Sequence, residues 1–324
     1  MKLVLIIINF FLYYSLNIVN IKYLKFFISI LFFISSLLFF FLIDFLKLPD
    51  YQQYFNVIGI RDNDFTLKIL FTEPYYFELV NLLYTKYSSE FSILVFYFIN
   101  TLITTLFFIW ISYNKNNSIW KNIFLYSMYY YLFSFVLLRN TPSYILISLL
   151  FYFINKNIYF KSALLSFFCH LSSFPILIFS FFKNKKADFK LLIIVIGYVL
   201  FFNLLTKLEI FGIYDKLTIY QEDKDYGQNI FHKLYFFLFL SLIIYTFFKI
   251  KNLLFNYTFI LIFVTYLILQ SIGPVMGFRF SIYLMFYLFL NEKFSPKDDN
   301  ELIKNILSIS FIILLIFNYN QLAQ

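Results

Sequence analysis

Long apolar runs separated by short polar segments recur from one end of the chain to the other. Most of these runs approach the roughly 20 apolar residues that a helix needs to cross a hydrocarbon core. Continuous runs, rather than alternating ten-residue ones, favour helices over a β-barrel. The pattern therefore predicts helical spans near residues 3–19, 26–46, 91–112, 119–138, 142–155, 191–206, 234–248, 253–270, 274–290 and 303–319.

The fold class that this pattern predicts is an all-α polytopic integral membrane protein with about 10–12 transmembrane helices. No repeat, linker or stretch of mixed polarity marks a soluble domain, so residues 1–324 are predicted to form a single polytopic membrane domain. Two longer polar segments, residues 47–90 and 207–233, are predicted to be outer loops. The first run resembles a signal sequence, but no small-residue cleavage site follows it, which favours a first span.

The segment 162–182 decides the topology, because its path is either a full crossing or a re-entrant hairpin. A polar run of Cys, His and Ser precedes Pro175 in its middle, and broken backbone at membrane depth needs burial in protein or a cavity. The hairpin puts 15 basic residues inside and 11 outside, and a full crossing reverses these numbers. Because basic residues concentrate on the inner side, we favour the hairpin, which places Arg139, Arg279 and both polar loops outside.

The overall composition agrees with this class and excludes several others. Hydrophobic residues make up 62% of the chain, and the net charge of +9 comes mostly from lysines between spans rather than from a nucleic-acid-binding patch. The single Cys169 excludes an internal disulfide. The sequence has no P-loop, nucleophile elbow, HExxH motif or CxxC cluster, so ATP hydrolysis and zinc chemistry have no support.

Arginine is rare in this lysine-rich chain, and two of the three arginines lie at the mouths of apolar segments. Arg139 ends one run, and Arg279 follows the glycines and proline that begin another. A guanidinium binds a phosphate or carboxylate through two parallel hydrogen bonds, which lysine cannot do. Placing arginine at mid-membrane costs roughly 2.5–3.5 kcal/mol on insertion scales. The pair therefore predicts an anion site, with snorkelling anchors as the alternative.

One histidine and one pair of aspartates are weaker evidence for a functional site. His170 is one of only two histidines, and its imidazole titrates near neutral pH, so it is a candidate base or anion ligand; a hydrogen-bonded packing residue is the alternative. Asp62 and Asp64 in the first polar loop have the spacing of a metal-binding pair, although a solvated loop explains them better. We therefore predict no metal site and no cofactor.

The order of short motifs resembles a known family. In sequence order they are Asp50 with Tyr54, Glu73 with Pro74, Arg139 at the end of a span, His170 and Ser172 before Pro175, and the late Arg279. This order resembles Wzy-type polysaccharide polymerases, in particular the EpsG-like branch, over roughly residues 40–285. That branch commonly has Arg-Gln followed by small residues, whereas this chain has Arg139-Asn140-Thr141-Pro142, so the next helix is expected to begin differently.

The resemblance implies a membrane glycosyltransferase on the outer face of the bacterial inner membrane. It would join oligosaccharide repeat units carried on undecaprenyl diphosphate into O-antigen, capsule or exopolysaccharide, with inversion at the anomeric carbon. Arg139 and Arg279 would neutralise the leaving diphosphate without a metal, and His170, Glu73 and Asp50 are candidate bases. The substrate-binding residues would be Tyr51, Tyr54, Tyr75, Ser172 and Tyr283.

The expected partners follow from the same resemblance. They are the lipid bilayer, the lipid-linked oligosaccharide and other polysaccharide-assembly proteins such as a flippase or a chain-length regulator, with no nucleic acid. The alternatives are a lipid-linked oligosaccharide flippase, an O-antigen ligase-like transferase and a membrane acyltransferase. Transporters more often show two similar halves, and none is visible in the sequence.

Overall fold

The described part of the chain is helical throughout. In the computed structural model the described residues are 2–48, 51–57, 74–114, 118–155, 161–170, 172–180 and 256–290, with short pieces between 193 and 244. None of these residues lies in a β-strand, which confirms the all-α prediction for this part of the chain. The span predicted at 303–319, and about half of each of those at 191–206 and 234–248, lie outside the described residues.

The chain groups into two compact units, the first of which contains Met1–Ile145 and Phe168–His170. Its helices confirm the predicted helical runs and add two helices within the first polar loop. They are α1 (Lys2–Ile18), α2 (Lys22–Leu42), α3 (Tyr51–Val57), α4 (Pro74–Tyr84), α5 (Ser89–Tyr113), α6 (Ile119–Tyr131) and the start of α7 (Thr141–Asn155). Two of them, α2 and α5, are long and apolar enough to cross a membrane, a property that core helices of soluble proteins share.

Serine side chains define where two of these helices begin. The hydroxyl of Ser88 accepts from the backbone N–H of Phe91 at the start of α5, and Ser118 accepts from Lys121 at the start of α6, both at 3.3 Å. Such caps satisfy one of the four amide groups that a helix leaves without a partner at its beginning. Glu90 in the first turn of α5 adds a favourable charge at the same end.

Aromatic rings from four helices form the core of the first unit. Tyr13 of α1 stacks on Tyr126 of α6 with ring centroids 4.3 Å apart, and both rings contact Phe32 of α2 and Phe108 of α5. Each of these side chains is at most 1% exposed. Because rings that meet edge-to-face or offset have preferred geometries, such a core specifies the helix register more sharply than aliphatic packing does.

The second unit contains Leu146–Phe167 and Leu171–Pro296. Its longest described helices are α10 (Tyr257–Ile272) and α11 (Pro274–Leu290), with the short α9 (Ser173–Ser180) beside α10. The side-chain oxygen of Asn256 accepts from the backbone N–H of Phe259 and from the hydroxyl of Tyr287, which ties the start of α10 to α11.

The segment 162–182 is broken, as its polar centre predicts. A 3₁₀ turn at Lys161–Leu165 leads into α8 (Ser166–Cys169), which ends before His170, and α9 restarts the helix at Ser173. Within residues 161–180, each described helical piece is shorter than the about 20 residues that a hydrocarbon core needs. Whether this segment returns to the side from which it came stays a prediction.

Gly277 permits the close packing of α10 against α11. The two helices are joined through Gly273 alone, and a Cβ atom added at Gly277 would lie 2.9 Å from the Cα atom of Gln270 on α10 and against its side chain. A backbone atom cannot move aside as a flexible side chain can. Glycine at this position is therefore needed for the approach of the two helices.

Gly277→Ala should lower the free energy of unfolding by about 1–3 kcal/mol, because the added methyl group forces α10 and α11 apart. Thermal unfolding of the purified protein in detergent, followed by intrinsic fluorescence, measures the effect. Gly197→Ala is the matched control, since a Cβ atom there meets nothing within 4 Å. Equal stability of the two variants would contradict the close approach.

Candidate functional site

Arg139 lies in a tight turn between α6 and α7. Helix α6 continues into a π-helical segment, Leu132–Val136, and the backbone N–H of Leu137 donates to the carbonyl oxygen of Leu132, five residues earlier, at 2.6 Å. The turn follows, and α7 begins at Thr141. π-Helical turns insert one extra residue into a helix and occur frequently at functional sites. The direction in which Arg139 leaves α6 is therefore set by this widened turn.

The residues after Arg139 hold the turn through buried hydrogen bonds. The hydroxyl of Thr141 lies 2.9 Å from the carbonyl oxygens of both Phe133 and Leu137 and donates its proton to this pair. The backbone N–H groups of Asn140 and Thr141 also donate to the Leu137 carbonyl. Thr141 is fully buried, so its hydroxyl replaces the water that these carbonyl groups cannot reach.

Two tyrosine rings from the first polar loop lie against the Arg139 guanidinium. The central guanidinium carbon is 5.6 Å from the ring centroid of Tyr54 on α3 and 6.0 Å from that of Tyr76 on α4. Both distances are within the range of a cation–π interaction. The hydroxyl of Tyr76 donates to the backbone carbonyl of Tyr54 at 2.8 Å, and Phe96 of α5 packs against both rings. Arg139 therefore has an aromatic partner on each of two helices.

The charge of Arg139 acts on the phenol of Tyr76. Burial raises the pKa of Tyr76 well above its usual value and neighbouring Tyr54 adds to the rise, whereas the positive charge of Arg139 opposes it. The phenol therefore stays protonated at physiological pH, as its role as hydrogen-bond donor requires.

The tyrosines predicted to contact sugars are packed inside the first unit. Tyr51 is 6% exposed and Tyr54 is 4% exposed, and the ring of Tyr75 packs on Phe96 with centroids 5.5 Å apart. Tyr54 packs on Tyr76, Phe96 and Arg139 rather than presenting a free ring to a sugar. Its position supports a role in holding the arginine.

The candidate bases are described only in part. Asp50 and Glu73 lie outside the described residues, next to the first residues of α3 and α4. His170 is half-buried at the break after α8, within the first unit. Burial raises the pKa of the Tyr75 phenol, and neighbouring Cys169 adds to the rise. The residue before His170 is therefore close to the polar-loop tyrosine Tyr75.

The second unit brings together two of the predicted substrate residues. The hydroxyl groups of Ser172 and Tyr283 lie 3.0 Å apart, although 111 residues separate them in sequence. Tyr283 follows Arg279 by one helical turn on α11, so the two side chains lie on the same face of that helix. Arg279 itself is half-exposed. Arg279 therefore shares a helix face with Tyr283, whose hydroxyl group contacts that of Ser172.

Sequence reasoning missed Tyr76 and the π-helical segment. Tyr76 adjoins the predicted Tyr75, but α4 turns these neighbours in different directions, and it is the ring of Tyr76 that lies over the Arg139 guanidinium. No residue type is diagnostic of a π-helix, so the apolar run before Arg139 carried no signal for it. Within the described ranges, no group of three or more His, Cys, Asp or Glu residues is placed to hold a metal ion.

In comparisons with known proteins, the chain matches no family model, no curated protein and no solved structure. The resemblance to Wzy-type polymerases therefore rests on the order of its short motifs and stays a prediction. The chemistry around Arg139 and Arg279 is the physical basis on which a function can be argued.

Thr141→Val should lower the free energy of unfolding by about 1–3 kcal/mol, because the buried carbonyl group of Phe133 loses the hydroxyl that donates to it, while that of Leu137 keeps its two backbone donors. Thr141→Ser keeps the hydroxyl and should stay close to the wild type. Thermal unfolding in detergent compares the two.

Thr85→Val is the matched control for this series. The hydroxyl of Thr85 also donates to a carbonyl oxygen, that of Leu82, but the bond is exposed to solvent. Water can replace an exposed donor, so this control should be nearly neutral. If Thr141→Val were as stable as the control, the hydroxyl would not be holding the turn.

Proposed function

We propose that this chain is a multi-pass membrane glycosyltransferase that polymerises oligosaccharide repeat units carried on undecaprenyl diphosphate. Its product is O-antigen (the glycan of lipopolysaccharide), capsule or exopolysaccharide. It acts in the bacterial inner membrane, with its active site facing the periplasm or the exterior. The observation that carries the proposal is Arg139, held beside two tyrosine rings in the turn that precedes α7.

The surface of α2 supports a membrane location. Tyr23, Phe26 and Phe41 are 89%, 63% and 70% exposed, and further apolar side chains are exposed along the same helix, including Phe27, Ile30, Leu31, Ile34 and Leu38. Water would make such a continuous apolar surface prone to association, whereas lipid chains solvate it. Tyr23 lies beside Lys22 at the helix start, which is typical of a membrane–water interface. The remaining apolar runs extend this assignment to about 10–12 spans.

The anion site suits a lipid diphosphate donor. Breaking the bond between the anomeric carbon and the diphosphate leaves negative charge on the departing oxygens. Cations that are already in position lower the cost of forming that charge, and removing one such group typically slows a reaction by about 10²–10³-fold. Arg139 and Arg279 provide this charge. Arg139 lies just before the first residue of α7, and a helix N-terminus favours an anion at the same place.

The proposed reaction is a single displacement that inverts the anomeric carbon. The hydroxyl oxygen of the acceptor sugar bonds to this carbon while the bond to the diphosphate oxygen breaks, and undecaprenyl diphosphate leaves with the electron pair. The hydroxyl proton passes to a base, for which His170, Glu73 and Asp50 are the candidates. The hydroxyl groups of Ser172 and Tyr283 bind the glycan. The partner proteins are a flippase and a chain-length regulator.

Arg139→Lys and Arg279→Lys should each lower polymerisation by about 100-fold or more, although both keep the positive charge. The reason is that an ammonium group cannot form two parallel hydrogen bonds with a diphosphate. Polymer length on a gel in a deletion strain, with the membrane level of each variant checked, measures this. Arg61→Lys changes the third arginine and is the matched control. Full-length polymer from either test variant would count against bidentate binding.

A deletion strain separates a polymerase from a flippase. Without a polymerase, cells should still display glycan one repeat unit long, because translocation and ligation continue. A flippase deletion should instead display no repeat unit and accumulate lipid-linked oligosaccharide on the cytoplasmic side. A deletion strain with no surface glycan would overturn the proposed function.

Purified enzyme provides the second half of this test. It should lengthen lipid-linked repeat units in detergent without nucleotide sugar and in the presence of EDTA, because arginines neutralise the leaving group. Activity that is lost in EDTA and restored by magnesium or manganese would transfer the catalytic role to the acidic loop that contains Asp62 and Asp64.

A further inference from the structure

Tyr54 and Tyr76 form a two-ring support for the guanidinium of Arg139. Their centroids lie 5.6 and 6.0 Å from its central carbon, and they are 4% and 2% exposed. We infer that these two tyrosines are positioning residues, which hold Arg139 in the orientation in which it binds a diphosphate. This inference rests on the proposed function of Arg139 as an anion-binding residue.

The two rings are fixed before any ligand arrives. The Tyr76 hydroxyl donates to the Tyr54 backbone carbonyl at 2.8 Å, which joins α3 to α4 across 22 residues of sequence. The rings themselves meet with centroids 5.0 Å apart. A buried hydrogen bond between two packed segments leaves little freedom for either ring.

A fixed ring restricts the arginine because a guanidinium is planar. Arginine loses up to about 2 kcal/mol of side-chain entropy when it is immobilised, and stacking on an aromatic face removes much of that freedom in advance. The fork that binds phosphate is then oriented before the ligand binds, which raises affinity without a new contact to the ligand. The two rings themselves contribute no negative charge to the site.

The alternative is that these tyrosines only stabilise α3 and α4. If their role were only structural, every substitution that opens a large cavity in this cluster would weaken ligand binding equally. The effect would also be the same whichever residue stood at position 139. A positioning role depends on the ring, on the arginine, and on the anionic group of the ligand. These three dependences can be measured separately.

The test uses the full-length protein purified in detergent and farnesyl diphosphate as the probe, with farnesol as the uncharged comparison. Tyr54→Leu and Tyr76→Leu should each weaken binding of farnesyl diphosphate by about 2- to 30-fold, the range that cation–π energies imply. Binding of farnesol should be unchanged. Tyr54→Phe keeps the ring and should bind as the wild type does, which separates the ring face from the hydroxyl group.

Phe96→Leu is the matched packing control. Its ring contacts Tyr54, Tyr75 and Tyr76, so the substitution opens the same cluster and should lower thermal stability. It should leave the affinity for farnesyl diphosphate within about twofold of the wild type, because it leaves both rings beside Arg139. In an Arg139→Lys background, Tyr54→Leu and Tyr76→Leu should cause a smaller loss than in the wild type, since an ammonium can lie over a ring but cannot stack as a planar fork.

The possible results separate this inference from the function on which it rests. If Arg139→Ala abolishes binding while the two leucine variants bind as the wild type does, the positioning role is wrong and the anion site stands. An affinity loss in Phe96→Leu equal to that in the leucine variants would also overturn positioning in favour of general packing. If Arg139→Ala binds farnesyl diphosphate normally, or the wild type does not bind it, the anion site and the inference both fall.

Discussion

The hydrogen bond of Thr141 to two carbonyl groups is the interaction on which the geometry around Arg139 depends. In the π-helical segment before the turn, the backbone N–H of Leu137 donates to Leu132 rather than to Phe133, which would be its acceptor in a regular α-helix. The Thr141 hydroxyl lies 2.9 Å from the carbonyl oxygens of Phe133 and Leu137. In apolar surroundings each unpaired carbonyl carries a large cost, since no water can replace the missing donor. The hydroxyl of Thr141 therefore stabilises the widened turn, and this turn determines where the Arg139 side chain leaves the backbone.

Hydroxyl groups also form hydrogen bonds between helices elsewhere in the first unit. Thr105 of α5 and Tyr130 of α6 bond at 3.0 Å, and the hydroxyl groups of Ser29 and Tyr113 join α2 to α5 at 3.1 Å. Aliphatic packing has little directionality, so polar contacts and ring geometry select the partner of each helix. The many aromatic residues supply large packing surfaces, and the few hydroxyl bonds among them select one register.

The sequence was sufficient for the helices and for part of the site, because both depend on local patterns. Apolar runs predicted α1, α2, α5 and α6, and the polar centre of segment 162–182 predicted its break at His170. The contacts of Tyr76 with Arg139 and of Ser172 with Tyr283 join distant parts of the chain. The hydrophobic periodicity of a sequence does not indicate such long-range pairs. A π-helical segment has the same apolar composition as the α-helix that it interrupts. Neither the contacts nor the π-helical segment could therefore be predicted.

The choice of tyrosine beside Arg139 has a physical reason. A carboxylate partner would hold a guanidinium firmly, but it would also cancel the charge that an incoming anion needs and would compete for the same hydrogen-bond donors. A ring holds the cation through its quadrupole, offsets part of the cost of removing it from water, and leaves its net charge intact. The burial of Tyr54 and Tyr76 strengthens this attraction because little water screens it. Neutral rings thus fix the orientation of the Arg139 guanidinium without adding a negative charge of their own.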